Sequence, residues 1–183
     1  MGYRLSKIYT RTGDAGTTGL GDGSRTGKDS LRITALGEVD ETNAVVGILL
    51  CEELPVEVVE LLTGVQHDLF DLGGELSIPG AALLATTQPS RLEAAVDHDN
   101  AALAPLKEFI LPGGTRAAAL THQARAVCRR AERAVVALGQ TETISETGRQ
   151  YLNRLSDLLF VLARYLNLHA GVGDVLWQKG KNG

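Results

Sequence analysis

Aromatic side chains are scarce in this sequence: three Phe, four Tyr and one Trp make up 4% of 183 residues. A nucleic-acid surface needs such rings for stacking and a basic stripe for phosphates. This chain has a formal net charge of −4 and no long basic tract, which argues against a dedicated nucleic-acid binder. No apolar run reaches the ~18 residues that span a bilayer. The opening segment, Met1-Gly2-Tyr3-Arg4-Leu5-Ser6-Lys7, has no apolar signal region. The expected setting is the cytoplasm, with no membrane partner. Cysteine is limited to Cys51 and Cys128, both in apolar stretches, and these read as two reduced core thiols. With no CxxC and four scattered histidines, a structural zinc site is disfavoured. No Ser–His–Asp or Cys–His arrangement stands out. The Glu-x-x-His pairs that a di-iron bundle requires are absent as well.

At 19.4 kDa, with 44% hydrophobic and 22% charged residues, the composition fits one globular domain spanning 1–183. Residues 1–31 are rich in Gly, Thr, Ser and Asp and read as an irregular arm, with a short strand near Lys7-Ile8-Tyr9. The remainder reads as helical. A first helix is predicted over 33–51, with Ile33, Leu36, Val39, Val46 and Leu50 facing inward. A second is predicted over 55–77, with Pro55 in its first turn and an apolar stripe of Val59, Leu62, Val65, Leu69, Leu72 and Leu76. Ser90 with Glu93 reads as a capping box for a third helix over 91–105. Pro112-Gly113-Gly114 interrupts the chain before a fourth helix over 115–139, which Gly139 ends. Thr143 with Glu146 is a second capping box, opening a fifth helix over 145–169 that Gly171 or Gly173 stops. Five helices with short connections predict an all-α, up-and-down bundle over 32–170, followed by a tail over 171–183.

Polar groups set unusually close to the apolar stripes carry the functional signal. In the fourth helix, Arg125, Arg129, Glu132 and Arg133 fall within an arc of about 100° beside the apolar stripe. They form either a solvated face with i,i+4 pairing or a fixed set of guanidinium forks for a polyanion or buried carboxylates. In the first helix, Asp40 and Asn43 share a face and sit among core positions, where an unpaired polar group is costly. Asn153 and Asp157 lie one turn apart near the leucines of the fifth helix. They are either partners for those arginines or members of a buried structural network. The arm reads Thr10-Arg11-Thr12-Gly13-Asp14-Ala15-Gly16-Thr17-Thr18, with Arg25 and Lys28 beyond. Its glycines let backbone N–H groups approach phosphate, its hydroxyls add donors, and its cations neutralise charge. A flexible terminal arm has the same composition. The nearest Walker A match ends Gly27-Lys28-Asp29. It has Asp22 in place of the first glycine and Asp29 in place of the hydroxyl, so a P-loop NTPase is rejected.

Four segments, taken together, resemble the PduO-type ATP:cob(I)alamin adenosyltransferases: Thr10 to Thr18; Gly37-Glu38-Val39-Asp40-Glu41-Thr42-Asn43; Phe109-Ile110-Leu111-Pro112-Gly113-Gly114-Thr115; and Arg125 to Arg133 followed by Tyr151-Leu152-Asn153-Arg154-Leu155-Ser156-Asp157. Thr42 stands where that family more often has Leu. The resemblance implies a homotrimer of five-helix bundles with active sites between subunits. It implies that Thr10, Arg11, Gly13, Asp14, Gly16, Thr17, Thr18 and Lys28 contact ATP, and that Arg129, Glu132 and Asn153 complete the ATP site. It further implies that Asp40 and Arg125 pair across the subunit boundary and that Phe109 lies under the corrin ring. Mg²⁺ is expected with the ATP phosphates, and a cobalamin reductase and a B12-dependent acceptor enzyme are the expected partner enzymes.

Under this reading cob(I)alamin is the nucleophile, its cobalt attacks the ribose C5′, and triphosphate leaves. Lys28, Arg11 and Arg129 suit stabilisation of the leaving group. Phe109 is a candidate to exclude the lower axial ligand, which makes Co(II) easier to reduce. Read without the resemblance, it is a loop residue plugging the end of the bundle. Two rival functions use the same arm: an ATP hydrolase or phosphotransferase, and a non-catalytic carrier of adenosylcobalamin.

Overall fold

The computed structural model describes residues 8–182. Lys7, the first residue of the predicted strand, lies outside them, and Ile8 and Tyr9 are exposed and in no strand. The arm is nevertheless ordered into a hairpin that composition did not reveal. Strands β1 (Thr17–Gly19) and β2 (Arg25–Gly27) pair antiparallel, with Thr18 opposite Thr26. Gly23, at φ +87°, makes the turn, and Asp22 Oδ1 tightens it by accepting from the Ser24 N–H and hydroxyl at 2.9 and 2.7 Å. Each strand has only three residues, too few for alternation to register.

Five helices follow: α1 (Leu31–Leu49), α2 (Val56–Ser77), α3 (Thr87–Ala101), α4 (Arg116–Leu138) and α5 (Glu146–His169). Side-chain caps set three starts. Ser30 accepts from the Ile33 N–H, Thr115 from Ala118 and Ser145 from Gly148. The expected capping role of Thr143 therefore passes to Ser145. The predicted start of α3 is also corrected. The helix opens three residues before Ser90, because Pro89 fits a first turn where its missing N–H costs nothing. It stops at Ala101, short of the expected 105; Pro105 disfavours helical backbone at Ala104. Pro55 sits at the α2 N-cap, Gly139 caps α4, and Gly171, at φ +67°, ends α5 while the Val172 N–H returns to Asn167 O at 2.8 Å.

One continuous core fills the bundle, with Leu62, Leu69, Leu72, Leu76, Leu138, Leu152, Leu155 and Leu159 fully buried. Val59 turns out exposed and Val58 takes its place in the α2 stripe. Cys128 is buried as expected, its thiol pushed well above the usual range by burial and by nearby Glu132. Cys51 is not a core thiol: it lies beyond the end of α1, exposed to solvent.

Buried polar contacts fix how the helices meet. Tyr151 on α5 donates to Asp68 on α2 at 2.7 Å, and Asp68 also takes Arg91 and Gln88 of α3. Arg130 on α4 pairs with Glu38 and Glu41 of α1. Arg32, buried at the start of α1, reaches both Leu76 O at the end of α2 and Glu142 after α4. One end of the bundle therefore gathers the arm, the α1 and α5 starts and the α2 and α4 ends. The other end gathers the α4 start, the loop before it and the tail.

Candidate active site

The arm docks on the first of these ends. The Gly21 N–H donates to Ser77 O at 2.7 Å, and a Cβ at Gly21 would collide with Ile78, so only glycine allows the approach. Arg25 braces the loop internally, donating to Thr12 O at 2.7 Å and to Thr17 Oγ1 at 2.8 Å. Thr17 thereby keeps its own O–H free to donate outward. Lys28 N–H bonds Gly16 O at 2.9 Å, and its ammonium lies over Gly13, where a Cβ would come within 3.2 Å of Nζ. Gly16 adopts φ +82°. Arg11 is the only non-glycine at positive φ among the described residues, at +61°, and its guanidinium sits 5.7 Å from the Tyr9 ring. Thr10 and Thr12 hydroxyls bond each other at 2.9 Å. Asp14 and Lys28 are exposed. The structure thus gathers Thr10, Arg11, Gly13, Asp14, Gly16, Thr17, Thr18 and Lys28 into one compact loop-and-hairpin unit, rich in N–H, O–H and cationic groups.

A second group lies on the α4–α5 face. Asn153 Nδ2 donates to Glu132 Oε1 at 3.0 Å, and Asn153 Oδ1 accepts from Arg154 at 2.6 Å. The amide is held in one orientation, with Arg154 anchored in turn by Glu93 of α3 at 2.6 Å. Arg129 is exposed, and its guanidinium makes no ion pair among the described residues. Arg133 is exposed too and donates to Arg129 O at 3.0 Å.

The third group stands at the opposite end. Phe109 is 78% exposed and meets Trp177 edge-on, with ring centroids 6.3 Å apart. Phe109, Ile110, Arg125 and Phe160 line a cavity of about 550 Å³. Arg125 lies 6.0 Å from the centre of the Phe160 ring. Its Nε is buried without a hydrogen-bond partner among the described residues, as are both ring nitrogens of His122 one turn earlier. Burial, and then the neighbouring Arg129, lower the Arg125 pKa; burial, and then Arg125, hold His122 towards its neutral form. Phe109 thus stands at the end of the bundle without plugging it, because its ring faces solvent.

Asp40 departs from expectation. It is exposed rather than set among core residues, on the rim of a second cavity of about 690 Å³ that it shares with Asn43, Leu69 and Phe70. Asn43 is buried as expected, exchanging amide–carbonyl bonds with Gln66 at 3.2 and 3.3 Å. Asp40 and Arg125 line different cavities and do not pair within the chain. Sequence reasoning also missed Trp177, Phe160, Arg164, Asn167 and Asp174. Trp177 carried the one hint, as the single tryptophan of an aromatic-poor chain.

Comparison with known proteins gives a consistent result. The family model described as cobalamin adenosyltransferase matches residues 8–166. A cobalamin adenosyltransferase of Cupriavidus metallidurans is 65% identical, covering 98% of each chain. A corrinoid adenosyltransferase of Bacillus subtilis is 47% identical over 94% of this chain and 93% of that protein. Among solved structures, a variant PduO-type ATP:corrinoid adenosyltransferase from Lactobacillus reuteri, complexed with cobalamin and ATP, superposes with a TM-score of 0.91 at 34% identity, covering 94% of this chain and all of that one. The family match runs through the arm, the Phe109 loop and the α4–α5 face that carries Arg129 and Asn153, and the chain belongs to the cobalamin adenosyltransferase family.

Proposed function

We propose that this chain transfers the 5′-deoxyadenosyl group of ATP to the cobalt of cob(I)alamin, forming adenosylcobalamin and releasing triphosphate. The observation that carries the reading is the likeness, across 94% of the chain, to an adenosyltransferase complexed with cobalamin and ATP. The nucleophile is the metal of the substrate, so the protein's tasks are to hold two substrates and to stabilise a leaving group. Cobalt attacks C5′, the C5′–O bond breaks, and its electron pair leaves on triphosphate. Lys28, Arg11, the Thr17 and Thr18 hydroxyls and the arm N–H groups hold the phosphates. Arg129 adds positive charge where negative charge grows. Glu132 and Asn153, locked to each other, orient the nucleoside.

Mg²⁺ fits this site as the counter-ion of the triphosphate. No group of three or more His, Cys, Asp or Glu that could cage a metal occurs among the described residues, whereas Mg²⁺ commonly binds through substrate phosphates and retained waters. Bound there, it would neutralise phosphate charge, with the Thr18 hydroxyl as a candidate neutral ligand from the arm.

Asp40 and Arg125 occupy different cavities of one chain, which favours their pairing across a boundary between two copies, in a homotrimer with shared active sites. Asp40→Asn is expected to raise the corrinoid KM about tenfold or to loosen the assembly, since a charge-paired group loses its partner. Steady-state kinetics and sedimentation read the two effects, and a variant unchanged in both would return Asp40 to solvent. The chemistry requires two partner classes, a reductase that delivers Co(I) and a B12-dependent enzyme that takes the product. Cys51 and Cys128, both unpaired, suit a reducing cytoplasm.

An anaerobic mixture of protein, ATP, Mg²⁺ and chemically reduced cobalamin tests the activity directly. The expected outcome is conversion of the cob(I)alamin spectrum to that of adenosylcobalamin, with triphosphate formed in equal amount. Release of ADP and phosphate would favour a hydrolase, and binding without turnover would favour a carrier.

A further inference from the structure

The Phe109 ring is too exposed for burial to set its place, so its position must come from its backbone. That backbone is tied on every side to the last turns of α5. Upstream, Arg164 donates to Ala104 O at 2.8 Å. Downstream, Asn167 donates to Gly113 O at 3.1 Å and accepts from the Thr115 N–H at 2.9 Å. Gly114, at φ +96°, packs so closely on Asn167 that any Cβ there would collide with its amide. Alongside, the tail forms an antiparallel ladder with the loop. Leu111 N–H reaches Val175 O at 2.7 Å, Trp177 N–H reaches Phe109 O at 2.8 Å, and Ile110 bridges Leu176.

The ladder begins one residue after Asp174, which faces the same two α5 side chains. Arg164 Nε donates to Asp174 Oδ2 at 2.8 Å and Asn167 Nδ2 lies 3.4 Å from Oδ1. Both members of the ion pair are largely withdrawn from water, at 7% and 16% side-chain exposure. Breaking a withdrawn pair from one side leaves an uncompensated charge, so this contact resists slippage where an exposed pair would not.

We propose that Asp174 is a positioning residue for Phe109: its clasp with Arg164 and Asn167 holds the tail ladder in register, and the ladder holds Phe109, edge-on to Trp177, at the cavity that Arg125 lines. The proposal rests on the reading of Phe109 as the group that excludes the lower axial ligand of cobalamin. It makes the tail part of the adenosyltransferase site, although the family match ends at residue 166.

The test compares two corrinoids on the same preparation: cobalamin, which carries a lower benzimidazole ligand, and cobinamide, which lacks it. Because both rates come from one sample, their ratio is insensitive to the folded fraction. For Asp174→Asn, turnover with cobalamin is expected to fall about tenfold or more and turnover with cobinamide less than about threefold, the scale on which misplacement of a positioning group acts. The four-coordinate cob(II)alamin signal should fall in parallel, with the ATP KM unmoved. Should this variant not accumulate as folded protein, Asp174→Glu keeps the charge but shifts it by one methylene and should give an intermediate ratio. An unchanged ratio, or an equal loss with both corrinoids, overturns the proposal. Phe109→Ala is run alongside. If it shows the corrinoid split and the Asp174 variants do not, the clasp is wrong; if Phe109→Ala itself shows none, the reading of Phe109 is wrong.

Discussion

Arg129→Ala is expected to slow adenosyl transfer by roughly 10²–10³, the usual loss when one preorganised donor to a developing anion is removed. Its melting temperature should stay within about 2 °C of the wild type, because surface substitutions away from packed features rarely cost more than about 0.5 kcal/mol. Both halves follow from where the residue sits. Arg129 is exposed and makes no ion pair among the described residues, whereas Arg130, the next residue, is committed to Glu38 and Glu41. The pairing raises the Arg130 pKa, chiefly through its hydrogen bonds to Glu38 and Glu41. The two arginines thus differ, one holding α4 to α1 and the other uncommitted among the described residues and, under the proposed function, available to the triphosphate. Arg129→Lys keeps the charge but loses the planar fork, so an intermediate rate is expected. Near-normal turnover in Arg129→Ala would remove this residue from the mechanism.

Phe109→Ala should impair cob(II)alamin reduction and cobalamin turnover by about tenfold to a hundredfold, while the ATP dissociation constant changes little. The asymmetry follows from distance along the fold. Phe109 precedes the start of α4, and the arm is docked at the end of α2, at the other end of the bundle. Anaerobic stopped-flow reduction alongside equilibrium ATP binding separates the two effects. A collapse of ATP affinity with reduction intact would place Phe109 in the wrong substrate site.

Helical order was legible because each long helix carries its own apolar stripe. Leu155, Leu159, Leu162 and Leu166 on α5 repeat at three and four residues, and all are buried. The misses share a different cause, which is that they depend on contacts between distant residues. The β1–β2 hairpin rests on Arg25 reaching back to Thr12 and Thr17 rather than on alternation. Asp40 and Asn43 lie on neighbouring positions of one face, yet only the second is covered, because Gln66 of α2 reaches it. The start of α3 is set by a proline tolerated in the first turn, a feature that a capping box overrode on paper. Phe109 drew notice only through the family resemblance, whereas the arm and Arg129 stood out because their chemistry was conspicuous for a helical bundle. The Asp174 clasp did not, since Arg164, Asn167 and Asp174 look like ordinary polar residues until the chain turns back at Gly171.

The two cysteines differ enough to serve as an instrument. Cys128 is sealed in the core with its thiol strongly disfavoured as thiolate, while Cys51 stands exposed beside Glu52, which pairs with Arg116 at the start of α4. A maleimide dye would therefore attach at one point of the native sequence, at the same end of the molecule as Phe109 and the tail. Under the proposed function its emission is expected to change when corrinoid is added, without any substitution having to be engineered first.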